Sequence, residues 1–521
     1  MTETVDIILS PAEASSKELF LKRVAGKINI NVTEISSYRI LRKSIDARTR
    51  NIRVSMRITV FTGEEQGQKA AAPLLSQDVS GKRQVLIIGA GPAGLFAALK
   101  LIELGYKPVV LERGKEIGKR KRDIAAINRN KVINPDSNYC FGEGGAGTFS
   151  DGKLFTRSRK KGSVERILQL FHYYGAPENI LYETHPHIGT DLLPRIIKNI
   201  RDTITEAGGI IHYNSRITDI LIENGKCTGV KTINGDKWKA GATILATGHS
   251  AKDIYCMLHN KGLDLEAKPF AIGVRVEHPQ KLIDSIQYHG ISDPCLPPAS
   301  YSLIRQVEGR GVYSFCMCPG GNIVPASTSG NEIVVNGMSS SKRNSPWANS
   351  GIVTEIRNED MKTYSANGPL AGLYLRQHIE RPAFENGGGG QTAPAQRLTD
   401  FISNKYSSSL PKNSYAPGTI SSPIHDWLPE YIVRRLQVAF RNFDRNMKGF
   451  LTNEAVILAV ESRTSSPVRI IRNEADLMHP QAAGLFPCGE GAGYSGGIVS
   501  SAIDGERCAE KATEYIRSVC R

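Results

Sequence analysis

Residues 84–113 read QVLIIGAGPAGLFAALKLIELGYKPVVLER, and this stretch decides the fold. Val85–Ile88 reads as a buried strand. It runs into Gly89-Ala90-Gly91-Pro92-Ala93-Gly94, and a helix continues to about Leu104. A second strand, Val109–Leu111, ends on Glu112 and Arg113. Strand, glycine turn, helix and strand make a βαβ unit of the Rossmann kind. Gly89 allows the tight turn off the strand, Gly91 lets backbone approach a pyrophosphate, and Gly94 lets helix and strand pack closely. The pyrophosphate of such a unit sits on the helix N-terminus. Glu112, 23 residues after Gly89, stands where an acid accepts hydrogen bonds from both ribose hydroxyls. The unit therefore predicts a dinucleotide without a 2′-phosphate.

Two distant segments resemble flavoprotein motifs. Ala246-Thr247-Gly248 ends the buried strand ATILAT, and GLFPCGEGAGYSGGIVSSAIDG occupies 484–505. The resemblance implies that Glu490 holds a ribityl chain. It also implies that a helix starting near Gly497 and Ile498 points its N-terminus at an isoalloxazine. That placement suits the anion formed on flavin reduction. By the same likeness, Ile217 meets the adenine through its backbone. In FGEGGAGTFSDGKL (141–154), Gly144, Gly145 and Gly147 permit close backbone approach. Thr148, Ser150 and Asp151 there offer hydrogen-bonding groups, and similar flavoproteins run this loop beside the pyrophosphate and flavin. The expected cofactor is non-covalent FAD. No second dinucleotide fingerprint is present, so electrons come from the substrate, from NAD(P)H visiting the same pocket, or from a redox partner protein.

More specifically, the chain resembles the bacterial FAD-dependent dehydrogenases, also called NAD(FAD)-utilising dehydrogenases. The likeness is carried by FGEGGAGTFSDGKLFT (141–156), PHIGTD (186–191), ATGHSA (246–251), KPFAIGVRVEHPQ (268–280), YSFCMCPGG (313–321), ESRTSSPVRI (461–470) and CGEGAGYSGGIVSSAIDG (488–505). It covers essentially the whole chain and implies flavin-dependent dehydrogenation, without naming a substrate.

The fold class expected is α/β: a discontinuous, Rossmann-like FAD-binding domain of the glutathione-reductase type, with an inserted α+β substrate domain and a small N-terminal α+β domain. The boundaries read as 1–62 for the N-terminal unit, 63–82 for a linker, 83–251 and 461–521 for the flavin domain, and 252–460 for the substrate domain. In the N-terminal unit, AEASSKELFLKRVAG reads as one helix. Ile52, Val54, Met56, Ile58 and Val60 alternate along one strand face.

At 521 residues, 40% hydrophobic and 22% charged, the chain suits a soluble multidomain protein. No apolar stretch is long enough to span a bilayer, and an acidic start speaks against a signal peptide. Nine scattered cysteines fit a reducing compartment rather than a disulfide framework. The expected location is the cytoplasm. Of the net charge of +15, Lys107–Lys161 carries a surplus of 8, with 14 basic residues against 6 acidic ones. That segment, which includes GKRKR (118–122) and SRKK (158–161), admits a solvated basic face, a screen for dinucleotide phosphates, or nucleic-acid binding. A flavin-containing RNA-binding or RNA-modifying protein is the alternative function, and it lacks a recognisable RNA-binding motif.

Arg463, among small hydroxyl residues, reads either as a bidentate clamp for a substrate anion or as half of a structural ion pair, with Glu461 a candidate partner. Tyr494 is the candidate pocket-facing polar aromatic. His185, His187, His249 and His278 show no metal-site spacing, and no metal ligand set is expected. For Cys316 and Cys318 four readings stand: metal ligands, a redox disulfide, a soft wall of the substrate cavity, and core packing. Metal lacks further ligands, and an i, i+2 disulfide closes a small ring. A regular strand would face both thiols one way, with Phe315 and Met317 opposite, which favours the cavity wall. The function expected is hydride transfer between flavin N5 and a small organic substrate.

Overall fold

The computed structural model describes residues 2–63, 77–156 and 162–519. Gln84–Ile88 is a strand, Pro92–Glu103 a helix and Lys107–Leu111 the next strand. Gly94 is what lets them close: a Cβ there would stand 1.9 Å from the Gly89 carbonyl oxygen. Gly89 itself has φ of 104°, a conformation that favours glycine. Five parallel strands form the sheet, in the order Leu485–Pro487, Thr243–Leu245, Gln84–Ile88, Lys107–Leu111, Ile210–His212. One edge is thus supplied from near the C-terminus. Helix Leu193–Glu206 buries Ile196, Ile197, Ile200 and Ile204 at helical spacing. The last helix, Ile498–Val519, lies on helix Pro92–Glu103 so closely that a Cβ on Gly505 would be 2.1 Å from the Ala93 carbonyl oxygen.

A seven-stranded sheet covers the second core, ordered Ile304–Val307, Arg310–Cys318, Trp347–Ile356, Phe270–Pro279, Val456–Glu461, Ala393–Arg397, Thr419–Ser421. All pairings are antiparallel except the last, which is parallel. Helix Glu430–Asn446 buries Ile432, Leu436, Phe440 and Phe443. Strand Val456–Glu461 crosses the position expected as a domain boundary at 460–461.

In the N-terminal unit the strands are ordered Thr2–Leu9, Arg53–Phe61, Ser37–Asp46. The single helix expected there is two, Pro11–Ser15 and Lys17–Ile28. Ser16 breaks it, because its extended backbone and hydroxyl cap the second helix by accepting from the Leu19 N–H. Val54, Met56, Ile58 and Val60 pack with Phe20 and Val24, as the alternation predicts, whereas Ile52 joins the core of the seven-stranded sheet. Of the expected linker, residues 64–76 lie outside the described residues. Its end is already core: Val79 is fully buried and donates its N–H to the Ala207 carbonyl at 2.8 Å.

The basic segment is only partly a surface. SRKK lies outside the described residues. In GKRKR, Arg120 is fully buried and donates to the backbone oxygens of Asn138, Tyr139, Gly142 and Glu143. Among the described residues no helix is long and apolar enough to cross a membrane.

Gly94→Ala is expected to cost about 1–3 kcal/mol by overpacking, read as a lower urea midpoint; an unchanged midpoint would refute the close contact with Gly89.

Candidate functional site

A cavity of about 960 Å³ is lined from both large sheets. At one end lie Gly89, Gly91, Pro92, Ala93, Glu112, Arg113, Ile217 and Ala246–Gly248. Its middle is walled by Gly145, Gly147, Ser150, Glu490 and Gly496–Ile498, and its other end by Lys153, Lys268, Phe315, Cys316, Asn336 and Arg463. The segments meet through glycines. A Cβ on Gly145 would lie 3.0 Å from the Gly91 Cα, and one on Gly491 2.6 Å from the Gly248 carbonyl oxygen. Pro92 and Ile498, the first residues of two helices, both reach the cavity, so free N–H groups and positive dipole ends face it.

Glu112 is buried. Its carboxylate accepts from the backbone N–H groups of Ala90, Gly114 and Gly142 at 2.8, 2.8 and 3.0 Å. A carboxylate offers about four acceptor positions, so the expectation that it takes both ribose hydroxyls is corrected to one open position. The Glu490 carboxyl, by contrast, has no hydrogen-bond or ion-pair partner among the described residues, and the residue lines the cavity. Burial pushes its carboxyl up to about 7, with the Lys268 charge opposing. Two opposed glycine turns, two helix N-termini for an anionic group and an unpaired carboxyl for hydroxyls together fit a flavin dinucleotide.

Some expected cofactor residues stand behind the wall rather than on it. Ala90 and Gly94 shape the turn from inside the core. Thr148 turns away beside Ile197, with its hydroxyl buried and unpartnered among the described residues, so it is not a cavity group. Ser150 remains on the wall, its hydroxyl donating to the Gly147 carbonyl at 2.7 Å.

The catalytic candidates divide. Arg463 lines the cavity but is an ion-pair residue: Nη2 contacts Glu332 and lies 3.2 Å from Glu380, and Nη1 donates to Thr328 at 2.9 Å. With two carboxylates already on it, Arg463 fits the ion-pair reading rather than the anion clamp. Glu461 pairs with Arg275 instead, at 2.8 Å and fully buried. Burial pushes the Glu461 carboxyl up to about 7 against the pull of Arg275. Tyr494 lines the cavity, but its hydroxyl is engaged by the backbone. Its hydroxyl accepts from the Arg472 backbone N–H at 3.1 Å, and the Arg472 guanidinium covers the ring at 3.8 Å.

The Cys-Met-Cys strand is not regular. The pairing shifts between Phe315 and Cys318, where a bulge sets two residues against one, and Cys316 has φ of 47°. Phe315 and Cys316 consequently both line the cavity, while Met317 and Cys318 are buried. The expected arrangement is thereby corrected in part: Phe315 shares the cavity with Cys316 instead of opposing it, while both sulfurs still meet Lys153. Only Cys316 is a wall residue.

Lys153 was not singled out by the sequence. Its Nζ lies 3.8 Å from the Cys316 sulfur, 3.6 Å from that of Cys318 and 3.1 Å from Asp151. Against burial, Lys153 and Arg343 hold the Asp151 carboxyl below the usual range. His249 lines the cavity as a neutral imidazole, pushed down to about 3 by burial and then by Arg376 and Arg463. The signal for Lys153 was present in FSDGKL, but nothing in one dimension joins residue 153 to 316.

Comparison with known proteins gives three family matches: an "FAD-dependent protein, C-terminal domain-like" family over 269–464, an FAD binding domain over 82–125, and a domain of unknown function over 1–61. A protein of Clostridium beijerinckii, called an uncharacterized protein, is 40% identical over 515 residues, 95% of each chain. A tRNA uridine 5-carboxymethylaminomethyl modification enzyme of Caldicellulosiruptor saccharolyticus is 26% identical over 33% of this chain and 25% of its own. A solved flavoprotein/dehydrogenase from Cytophaga hutchinsonii matches 84% of this chain and 79% of its own at 13% identity, with a TM-score of 0.35.

Against burial, Arg463 holds the Glu332 carboxyl down at about 2. Glu332 therefore stabilises the fold above its unfolded value of 4.5, and that contribution fades as pH falls toward about 2. Glu332→Gln is expected to cost about 3 kcal/mol at neutral pH, with the deficit in urea unfolding shrinking in acid. A deficit independent of pH would show that the ion pair is not its source.

Proposed function

We propose a function on the premise that this chain belongs to a family of FAD-dependent proteins: it is an oxidoreductase that moves a hydride between a small organic substrate and bound FAD. FAD supplies two-electron chemistry at its N5 atom. The observation that carries the reading is the single cavity on which Gly91, Gly248, Glu490 and Ile498 converge with Lys153 and Cys316.

The chain's residues divide the work along that cavity. The turn at Gly89–Ala93 and the N-terminus of helix Pro92–Glu103 would bind the pyrophosphate. Glu490 would take the ribityl hydroxyls, and Arg113 and Ile217 border the adenosine end. The N-terminus of helix Ile498–Val519 would favour negative charge on the ring system. The described residues of 83–251 and those after strand Val456–Glu461 would then form the flavin-binding part, and most of 252–461 the substrate part. Phe315, Cys316, Asn336 and Lys153 form the far wall, where a substrate would sit. Arg463, neutralised by Glu332 and Glu380, supports that wall without holding a free anion.

The electron source is the substrate, NAD(P)H in the same cavity, or a partner protein. Anaerobic stopped-flow at the flavin absorbance, with NADH, NADPH and a panel of small metabolites, tests the reading. At least one compound is expected to bleach the flavin rapidly and saturably. A flavin that no compound bleaches, while a chemical reductant does so fully, would overturn the small-substrate reading.

A further inference from the structure

The thiol pair needs a role of its own, because the flavin contacts proposed for this cavity draw on neither sulfur. Cys316 is half-buried on the cavity wall and Cys318 is buried behind it. The bulge and the positive φ of Cys316 bring both sulfurs to one ammonium group, at 3.8 and 3.6 Å. Lys153 is fixed there by Asp151, which Arg343 and Ser339 also hold. Arg275, anchored by Glu461 and Asn349, donates to the Cys316 carbonyl at 3.3 Å, so the bulge is braced from behind. A non-glycine residue with left-handed backbone next to a cavity is strain of the kind that functional sites retain.

We propose that Cys316 and Cys318 are a redox dithiol in which Cys316 attacks a small disulfide in the cavity and Cys318 resolves the product. The charge state supports this order. The hydrogen bond from Cys318, and then the Lys153 charge, hold the Cys316 thiol well below its ordinary value, with burial opposing. The bond to Cys316, and then burial, push the Cys318 thiol up. The two shifts run in opposite directions and favour the proton on the inner sulfur, whose S–H donates to the Cys316 carbonyl at 3.3 Å. An accessible thiolate beside a protonated partner is the arrangement that attack and resolution require.

In the first step the Cys316 thiolate forms an S–S bond with one sulfur of the substrate disulfide, and the other sulfur leaves as a thiolate. Cys318 then gives its proton to the first substrate thiolate and attacks the Cys316 sulfur. The Cys316–Cys318 disulfide forms, and the second substrate thiolate departs. Restoring thiolate plus thiol takes two electrons and one proton, which a reduced, singly protonated flavin carries. Only this last step rests on the flavin reading.

The holoprotein, freed of reductant, would be treated with dithiodipyridine and mapped by mass spectrometry. Wild type is expected to yield a Cys316–Cys318 disulfide, Cys318→Ser to retain one thiopyridine on Cys316, and Cys316→Ser to leave Cys318 unmodified. Iodoacetamide should alkylate Cys316 about tenfold faster than the exposed Cys295 at neutral pH, and Lys153→Met should raise the pH of its inflection. Wild type that keeps thiopyridine on Cys316 without an internal disulfide would overturn the proposal. So would Cys316 alkylating with the pH profile of Cys295, even if small donors still bleach the flavin; in that case the flavin reading survives alone.

Discussion

A buried carboxylate and a buried guanidinium hold the dinucleotide end of this molecule together. Glu112 accepts three backbone N–H groups, from the glycine turn, from the loop after its own strand and from Gly142. Arg120 donates to four carbonyls between Asn138 and Glu143. Between them they satisfy both kinds of backbone group in a buried, irregular segment that no sheet or helix could satisfy. The attraction between the two charges offsets part of the cost of burying Arg120, whose guanidinium burial still pulls down to about 10. The loop 141–151 is thereby held against the first glycine turn, with Gly145 on Gly91.

Everything downstream uses that placement. Asp151, at the end of the same loop, is pinned to Ser339 and Arg343 of the second sheet's side, and Lys153 follows two residues later. A Cβ on Gly189 would fall 2.2 Å from the Ser341 N–H nitrogen, and the Gly189 N–H itself donates to the Asp151 carbonyl. PHIGTD is thus a joint between the two halves. The second buried pair, Arg275 with Glu461, does for the Cys316 bulge what Arg120 does for the first loop.

Local pattern made the Rossmann unit, its glycines and the amphipathic helix 193–206 legible, because each depends on residues close in sequence. The flavin motifs at 246–248 and 484–505 were legible as a likeness, and the structure brings both to the first turn. The distant pairings were not legible. Arg463 reads equally as an anion clamp or as half of an ion pair until Glu332 and Glu380 are found on it, and both come from other segments. Thr148 and Ser150 look equivalent in the loop, yet one faces the core and the other the cavity. Strand periodicity set Phe315 opposite the two thiols; a single inserted residue and one left-handed φ bring Phe315 onto the cavity beside Cys316 and leave Cys318 buried behind it, and periodicity carries no sign of either.

The decisive measurement is hydrogen–deuterium exchange of the apoprotein with and without FAD. Slowed exchange is predicted in four separated stretches at once: 89–94, 145–150, 246–248 and 490–498. Protection confined to the first stretch, with 490–498 unchanged, would contradict a cavity built jointly by the two ends of the chain.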